Sequence, residues 1–530
     1  MWKNCIDNHF LCFDHEGSNA LQGGALYRHI SAPSPRQYQH VCHLCFIGLC
    51  GRITHLTPSR SAQPCLEKHL MSPDFTYNIW DVEIQSFRGS HVVVELKGCR
   101  GLRLMVDTDG SVNCAASCIE PQNLFLLTFH PNGKWSFKSL ATSTHLEADG
   151  EDVICVSENV RDEHLWTPCL AIHSHVVFFN IRSHLYLQAD PEEDKVWAGA
   201  TYPFNERCGF IMLFDKDKGK YHLRTSDGLY VSSAKKLVSK PSEKTALTLH
   251  LRPGYLASFF DDCGSLLFPH GRSGALLSGN IHINKEEWFA IKRTPCLITL
   301  KALNKNYATV ICGVEVYANT NKPDSHSLFE LEVNPRTELV KIQTPKGRYL
   351  TLRGSNSVIA DGDGDESNSL FEVEWRYGKV CFQASNGMYL TVKPIGLITA
   401  SSPDVGPNEQ FVVQLVNRPF LIIRGKYGYV GKSIHHAVLQ CNLPEPDQIS
   451  LTACKHGFYH FKGSNGNFWT MTENDTFEAD GNVVLNFCIE IRGINLLAIL
   501  APNGCYLRGE NSGVLSATGQ IIDENCLWEF

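Results

Sequence analysis

The sequence predicts an all-β protein built as four consecutive β-trefoils. Three observations carry that prediction. Large apolar anchors recur at a near-constant spacing, a glycine turn leading into an aromatic or leucine falls between most of them, and long helical periodicity is nearly absent.

The anchors are Trp80, Phe125, Trp166, Phe210, Leu247, Trp288, Phe329, Phe371, Phe411, Ile449, Phe487 and Trp528. Most open a run of alternating apolar residues, as in WDVEI, LFELEV and NFCIEI, and successive anchors lie 37 to 45 residues apart. A repeat of that length has room for four short strands joined by tight turns. The turn motif is clearest at Gly228-Leu-Tyr-Val, Gly347-Arg-Tyr-Leu, Gly387-Met-Tyr-Leu and Gly504-Cys-Tyr-Leu. Glycine there accepts φ > 0, and the residues after it start a strand with alternate side chains buried.

Twelve repeats could close one large ring or two propellers, but the WD40 signature is absent. A grouping in threes fits better. After the third, sixth and ninth anchors a polar or proline break leads to a fresh apolar run: His173-Ser-His-Val-Val-Phe-Phe, Thr294-Pro-Cys-Leu-Ile-Thr-Leu and Arg418-Pro-Phe-Leu-Ile-Ile. The expected trefoils are therefore 77–170, 171–293, 294–416 and 417–530. Residues 1–76 read as a divergent N-terminal segment in which no first repeat is recognisable. Without that repeat the first barrel would lack a third of its wall and expose strand edges.

Composition bounds the function. Hydrophobic residues make up 43% and charged residues 19%, as in ordinary globular chains, and the net charge of −7 excludes a strongly basic nucleic-acid protein. An acidic partner would need a local basic patch. The most apolar early stretch, Val41–Cys50, is too short to cross a bilayer and too far in for a signal peptide. The 21 cysteines are scattered and many sit in strand-like runs, as reduced cysteines used as small hydrophobes do. A soluble, cytoplasmic protein is the expectation.

The chain resembles the fascin family of actin-bundling proteins from about Tyr77 to Phe530. The resemblance rests on Asn417-Arg-Pro-Phe-Leu-Ile-Ile-Arg-Gly-Lys-Tyr-Gly-Tyr-Val-Gly, Gly387-Met-Tyr-Leu-Thr-Val-Lys, Phe371-Glu-Val-Glu-Trp and the ending Leu527-Trp-Glu-Phe. Tyr427-Gly-Tyr-Val-Gly, Leu485-Asn-Phe-Cys-Ile-Glu and Ala498-Ile-Leu-Ala-Pro-Asn-Gly resemble the testis-type branch most. The resemblance implies a cytoskeletal monomer, not an enzyme and without cofactor. It would bind F-actin through at least two surfaces, with neither nucleic acid nor membrane insertion. The branch adds a specialised cell, such as a developing sperm cell, as the setting. Two surfaces are a geometric need, because one surface decorates a filament and two cross-link; many weak cross-links along one filament pair then act together. The alternative is a fascin-like scaffold that has lost bundling.

Carried over residue by residue, the resemblance nominates Arg424, Lys426, Tyr427 and Lys432 in the loop after the ninth repeat. It nominates Arg508 and Glu510 in the last repeat, and Arg348, Arg353 and Lys393 in the third trefoil. In the second trefoil Arg272 and Lys285 remain, while Ser278, Asn280 and His282 stand where lysines are expected. The family's basic segment before the first anchor is missing; His69–Trp80 has no lysine cluster, and Ser72 precedes a proline.

Other chemistry is weaker. Cys42, Cys45, Cys50 and His55 have a spacing close to a zinc knuckle's, but with the last two ligand types exchanged, and coincidence in a cysteine-rich stretch is the better reading. Asp361-Gly-Asp-Gly-Asp-Glu366 could suggest Ca²⁺, yet it lacks the spacing of an EF-hand loop and reads as a solvated turn. A ricin-type lectin would carry Gln-x-Trp repeats, disulfides and an export signal, none of which is visible.

Overall fold

Alternating apolar residues between glycine turns make hairpins, and the structure consists of little else. The computed structural model describes residues 41–530 apart from 51, 58–64, 69–79, 281–287, 434–437 and several stretches of one to three residues; side chains are described from Trp80 onward. The strands form four antiparallel sheets, spanning Val41–Leu170, His175–Arg293, Leu297–Leu415 and Phe420–Glu529. Among the described residues helical segments are three-residue 3-10 turns, and no helix is long and apolar enough to cross a membrane.

The third sheet shows the plan fully. The strand Leu297–Lys301 pairs with Phe329–Val333 on one side and Phe411–Leu415 on the other. Val340–Gln343, Glu372–Arg376 and Lys379–Gln383 complete the circuit, so six strands close a barrel. The other three hairpins cap one end and meet in a triangle, through the pairs Glu315–Ile359, Ser357–Thr399 and Tyr317–Leu397. The fourth sheet repeats the triangle with Val438–Glu478, Thr476–Ser516 and Gln440–Val514. A six-stranded barrel capped by a hairpin triplet is a β-trefoil, and the chain contains four.

The anchors fill these barrels. Trp80, Phe125, Trp166, Phe210, Phe329, Phe371 and Phe487 have no exposed surface, and each such side chain contributes about 1.5–3 kcal/mol by transfer. The sixth anchor is displaced by one residue. Phe289 is fully buried and Trp288 is half-buried, because strand alternation turns Trp288 outward, where the Arg252 guanidinium stands 5.4 Å from its ring centroid.

The first trefoil corrects a larger expectation. Its sheet begins at Val41, not at residue 77. The strand Val41–Cys50 pairs with Trp80–Arg88 and with Thr167–Leu170, and Arg52–Thr57 and Cys65–Lys68 form a hairpin whose Cys65 faces Asp152. The first barrel therefore closes. The apolar run that is too short for a membrane is a barrel strand, and only the glycine–aromatic turn motif is missing from its repeat.

The chain divides into two compact units, the first ending at Arg293 and the bulk of the second running from Thr294 to Phe530. Each holds a tandem pair of trefoils with one continuous apolar core. The two tandem junctions share a device. In the first unit the Leu170 N–H donates to the Tyr221 hydroxyl at 3.1 Å. In the second the Leu415 N–H donates to Tyr459 at 2.9 Å, and the Tyr459 O–H donates to the Val413 carbonyl at 3.3 Å. Burial pushes the Tyr459 phenol well above its ordinary range. Each junction also buries an arginine on a phenylalanine. Arg252 lies 3.8 Å from the Phe129 centroid, and Arg418 lies 4.8 Å from that of Phe530 while donating to the Thr294 carbonyl at 2.9 Å. Burial lowers both guanidinium groups to about 10. In the second unit Gly378 and Gly457 meet backbone to backbone at positive φ. A Cβ on Gly457 would fall 1.8 Å from the Gly378 carbonyl oxygen, so no other residue fits there.

Candidate functional site

The fourth trefoil gathers most of the nominated C-terminal residues. Arg424 and Gly425 form a two-residue strand that turns through Lys426 and Tyr427 into Gly428–Lys432, and Arg508 lies on the strand Tyr506–Gly509. Both elements face the segment 523–529 that leads into the final strand. Lys426 Nζ reaches Glu524 at 2.6 Å, the Tyr427 hydroxyl donates to Asn525 at 3.1 Å, Arg508 binds Asp523 at 2.5 Å, and Arg424 stands 3.8 Å from Glu529. Three cations and a tyrosine thus grip one acidic strap. The Arg508 hydrogen bond holds the Asp523 carboxyl below the usual carboxylate range, and the Asp523 carboxylate in turn raises Arg508.

Lys432 and Glu510 belong to the capping hairpins of the same trefoil rather than to this cluster. The Lys432 N–H donates to Asp447 at 3.0 Å. Glu510 opens the exposed turn between Tyr506–Gly509 and Leu515–Gly519, its carbonyl accepting the Gly513 N–H at 2.9 Å. The two hairpins adjoin, since Gln440 bridges to Val514 and the Cys441 N–H donates to Gly513 at 3.0 Å.

In the third trefoil the nominated residues separate. Arg348 is exposed in the turn that leads from Val340–Gln343 into the capping-hairpin strand Tyr349–Arg353. Arg353 and Lys393 occupy matching places in two of the three capping hairpins, after Tyr-Leu-Thr-Leu and Tyr-Leu-Thr-Val. Arg353 is clamped by Asp361 at 3.0 Å and by both oxygens of Glu366, which raises its guanidinium further and lowers the Glu366 carboxyl. Two carboxylates of the acidic run 361–366 are thus occupied by Arg353. Lys393 sits half-buried at its turn, with the Leu397 carbonyl accepting its N–H at 2.9 Å.

In the second trefoil Arg272 is exposed in the tip 271–274 of a capping hairpin, whose Gly274 carbonyl accepts the Ala198 N–H at 2.8 Å. Lys285 lies outside the described residues. Cys42, Cys45 and Cys50 fall on the first strand and His55 on the second; their side chains also lie outside the described residues.

Sequence reasoning passed over one concentration of charge. Residues 216–244 carry seven lysines and Arg224 against Asp217, Asp227 and Glu243, in a chain whose net charge is −7. A count in a sliding window finds it; the resemblance, which directs attention to 272–285, does not.

Known proteins place the chain. A fascin domain matches residues 303–413 and 427–530. Mouse Fascin-3 and human Fascin-3 are each 38% identical over 451 residues, 85% of this chain and 90% of theirs. Bovine Fascin-2 is 31% identical over 84% of this chain and 88% of its own length. The matches to Fascin-3 and Fascin-2 each cover well over two thirds of both chains, which is too much to be a shared module. Four trefoils in this order, matched along nearly the whole length of those relatives, make the chain a member of the fascin family.

Proposed function

We propose that this chain binds actin filaments and cross-links them into parallel bundles, as a monomer working in the cytoplasmic cytoskeleton. The observation that carries this reading is the gathering of Arg424, Lys426, Tyr427 and Arg508, nominated from two distant stretches of sequence, at one place on the fourth trefoil. An acidic filament would be met there by cations that the strap already holds in place, so that little side-chain freedom is lost on binding. Arg353 and Lys393 in the third trefoil and Arg272 in the second supply further positive positions.

One observation favours the second reading, a scaffold that no longer bundles. Each cation of the C-terminal cluster is already neutralised by a carboxylate of the strap. Filament pelleting separates the two. The full chain should sediment filaments at low speed as bundles, and a Lys426→Gln/Lys432→Gln/Arg508→Gln variant should lose the bundles. Filaments bound at high speed but never bundled by the full chain would establish the scaffold reading.

A further inference from the structure

We infer that the lysine-rich face of the second trefoil is a filament-docking surface, formed by the hairpins and turns between Lys218 and Lys244 and fitted to a carboxylate-rich protein face. The inference rests on the bundling reading and names one of its two surfaces.

Structure brings together what the sequence spreads over twenty-seven residues. Lys218 pairs with Glu243, and Lys220 on the strand Lys220–Thr225 adds its field to the same carboxylate, which is held below the usual range. Lys244 follows Glu243 in a 3-10 turn, and its carbonyl accepts the Ser233 N–H at 2.8 Å. That hydrogen bond ties the turn to the short hairpin Tyr230–Val231 and Leu237–Val238, which carries Lys236 and leads to Lys240. Five lysines thus stand around Glu243, with Asp194 and Asp262 bonded to the edges of the same hairpin.

The scaffold under these lysines is fixed. The Thr245 hydroxyl accepts the Ser242 N–H at 2.9 Å and is bonded to His222 at 2.9 Å from the buried side. The Lys236 carbonyl accepts the Ser232 N–H at 3.0 Å, and the Leu237 N–H donates to Asp194 at 2.7 Å. Among the described residues Lys236, Lys240 and Lys244 are exposed and make no ion pair. They are exposed cations outside any ion pair on elements tied by these hydrogen bonds, the arrangement that steers an acidic partner and costs little to desolvate at an interface rim.

A flexible polyanion would suit the charge as well. An acidic protein face is favoured because the lysines stand on three separate elements, the strand Lys220–Thr225, the hairpin that includes Leu237–Val238 and the turn Glu243–Thr245, held together by the hydrogen bonds above.

The test uses the full-length chain and a Lys236→Gln/Lys240→Gln/Lys244→Gln variant, whose side chains are exposed and whose thermal midpoint should match the parent's. High-speed pelleting with actin filaments should stay within about twofold of the parent, because the fourth trefoil still binds, while the bundled fraction at low speed should fall about tenfold. The triple lysine-to-arginine variant should bundle like the parent. Adding Lys426→Gln and Arg508→Gln to the glutamine variant should abolish filament binding. A glutamine variant that bundles like a bundling parent overturns this inference and leaves the bundling reading standing. A parent that binds no filaments overturns both. Loss of binding to anionic vesicles or single-stranded DNA with bundling unchanged also overturns it, and assigns the face to another class of partner.

Discussion

The fourth and second trefoils hold positive charge in opposite ways. In the fourth, Arg424, Lys426 and Arg508 converge, and a strap of the same domain supplies Glu529, Glu524 and Asp523 to meet them. In the second, residues 216–244 carry seven lysines against three carboxylates, and three of those lysines make no ion pair among the described residues. The difference teaches that the number of cations at a surface and the charge it offers a partner are separate quantities. A paired surface presents shape and hydrogen-bond donors, whereas an unpaired one presents field that reaches a Debye length, about 8 Å at physiological salt.

The comparison can be broken most forcefully at the core. Phe487 stacks on Phe461 with ring centroids 4.7 Å apart and packs edge-on to Trp469 at 6.1 Å. Phe487→Ala should destabilise the fourth trefoil by about 3–5 kcal/mol. In chemical denaturation that trefoil should unfold early, removing the paired cluster while the lysine face of the second trefoil survives. A single unshifted transition would contradict the packing account.

Acid should separate the two units next. In the first unit His130, His145, His184 and His250 are all held below the ordinary histidine value, chiefly by burial, and Arg252 adds to the effect at His250. A histidine kept neutral binds fewer protons folded than unfolded. Its contribution is complete above about pH 6.5 and is lost as the pH falls toward the folded value, about 4 for His250. Among the described residues the buried histidines all belong to the first unit, while His326, His456 and His460 of the second are exposed or half-buried. Calorimetry at pH 7 and pH 5 should show the transition of the first unit falling more than that of the second. Parallel shifts would refute the assignment.

The smallest effect sharpens the comparison most directly. Glu524 is largely exposed, so its pair with Lys426 contributes little to stability, about 0–1 kcal/mol at most. Glu524→Gln should leave the melting point alone and free the Lys426 ammonium. Filament binding at low salt should tighten about two- to threefold, and the gain should vanish in high salt. Unchanged affinity at low salt would mean the strap does not mask Lys426.

Sequence showed the repeat because burial demands it. Each barrel needs large apolar residues at fixed places, and eleven anchors are buried where the spacing put them; at the sixth, Phe289 takes the place of Trp288. Two adjacent aromatics on a strand face opposite ways, and spacing alone does not choose between them. The first repeat stayed hidden because its strands lack the glycine–aromatic turn, although Val41–Cys50 is as apolar as any barrel strand. The site was legible as a set of cations and illegible as a charge balance. Lys426 meets a carboxylate 98 positions away, and such a pair exists only once the barrel has closed.

The tyrosines at the tandem junctions have a mechanical consequence. Tyr221 and Tyr459 follow the same design, each taking the N–H of the last residue of the preceding barrel. A tether of a few residues would stretch under load before it passed any force on. Here pulling on one trefoil must first break a hydrogen bond from its backbone to a buried tyrosine of its neighbour, so each tandem pair answers a tug as a stiff strut with no slack to take up.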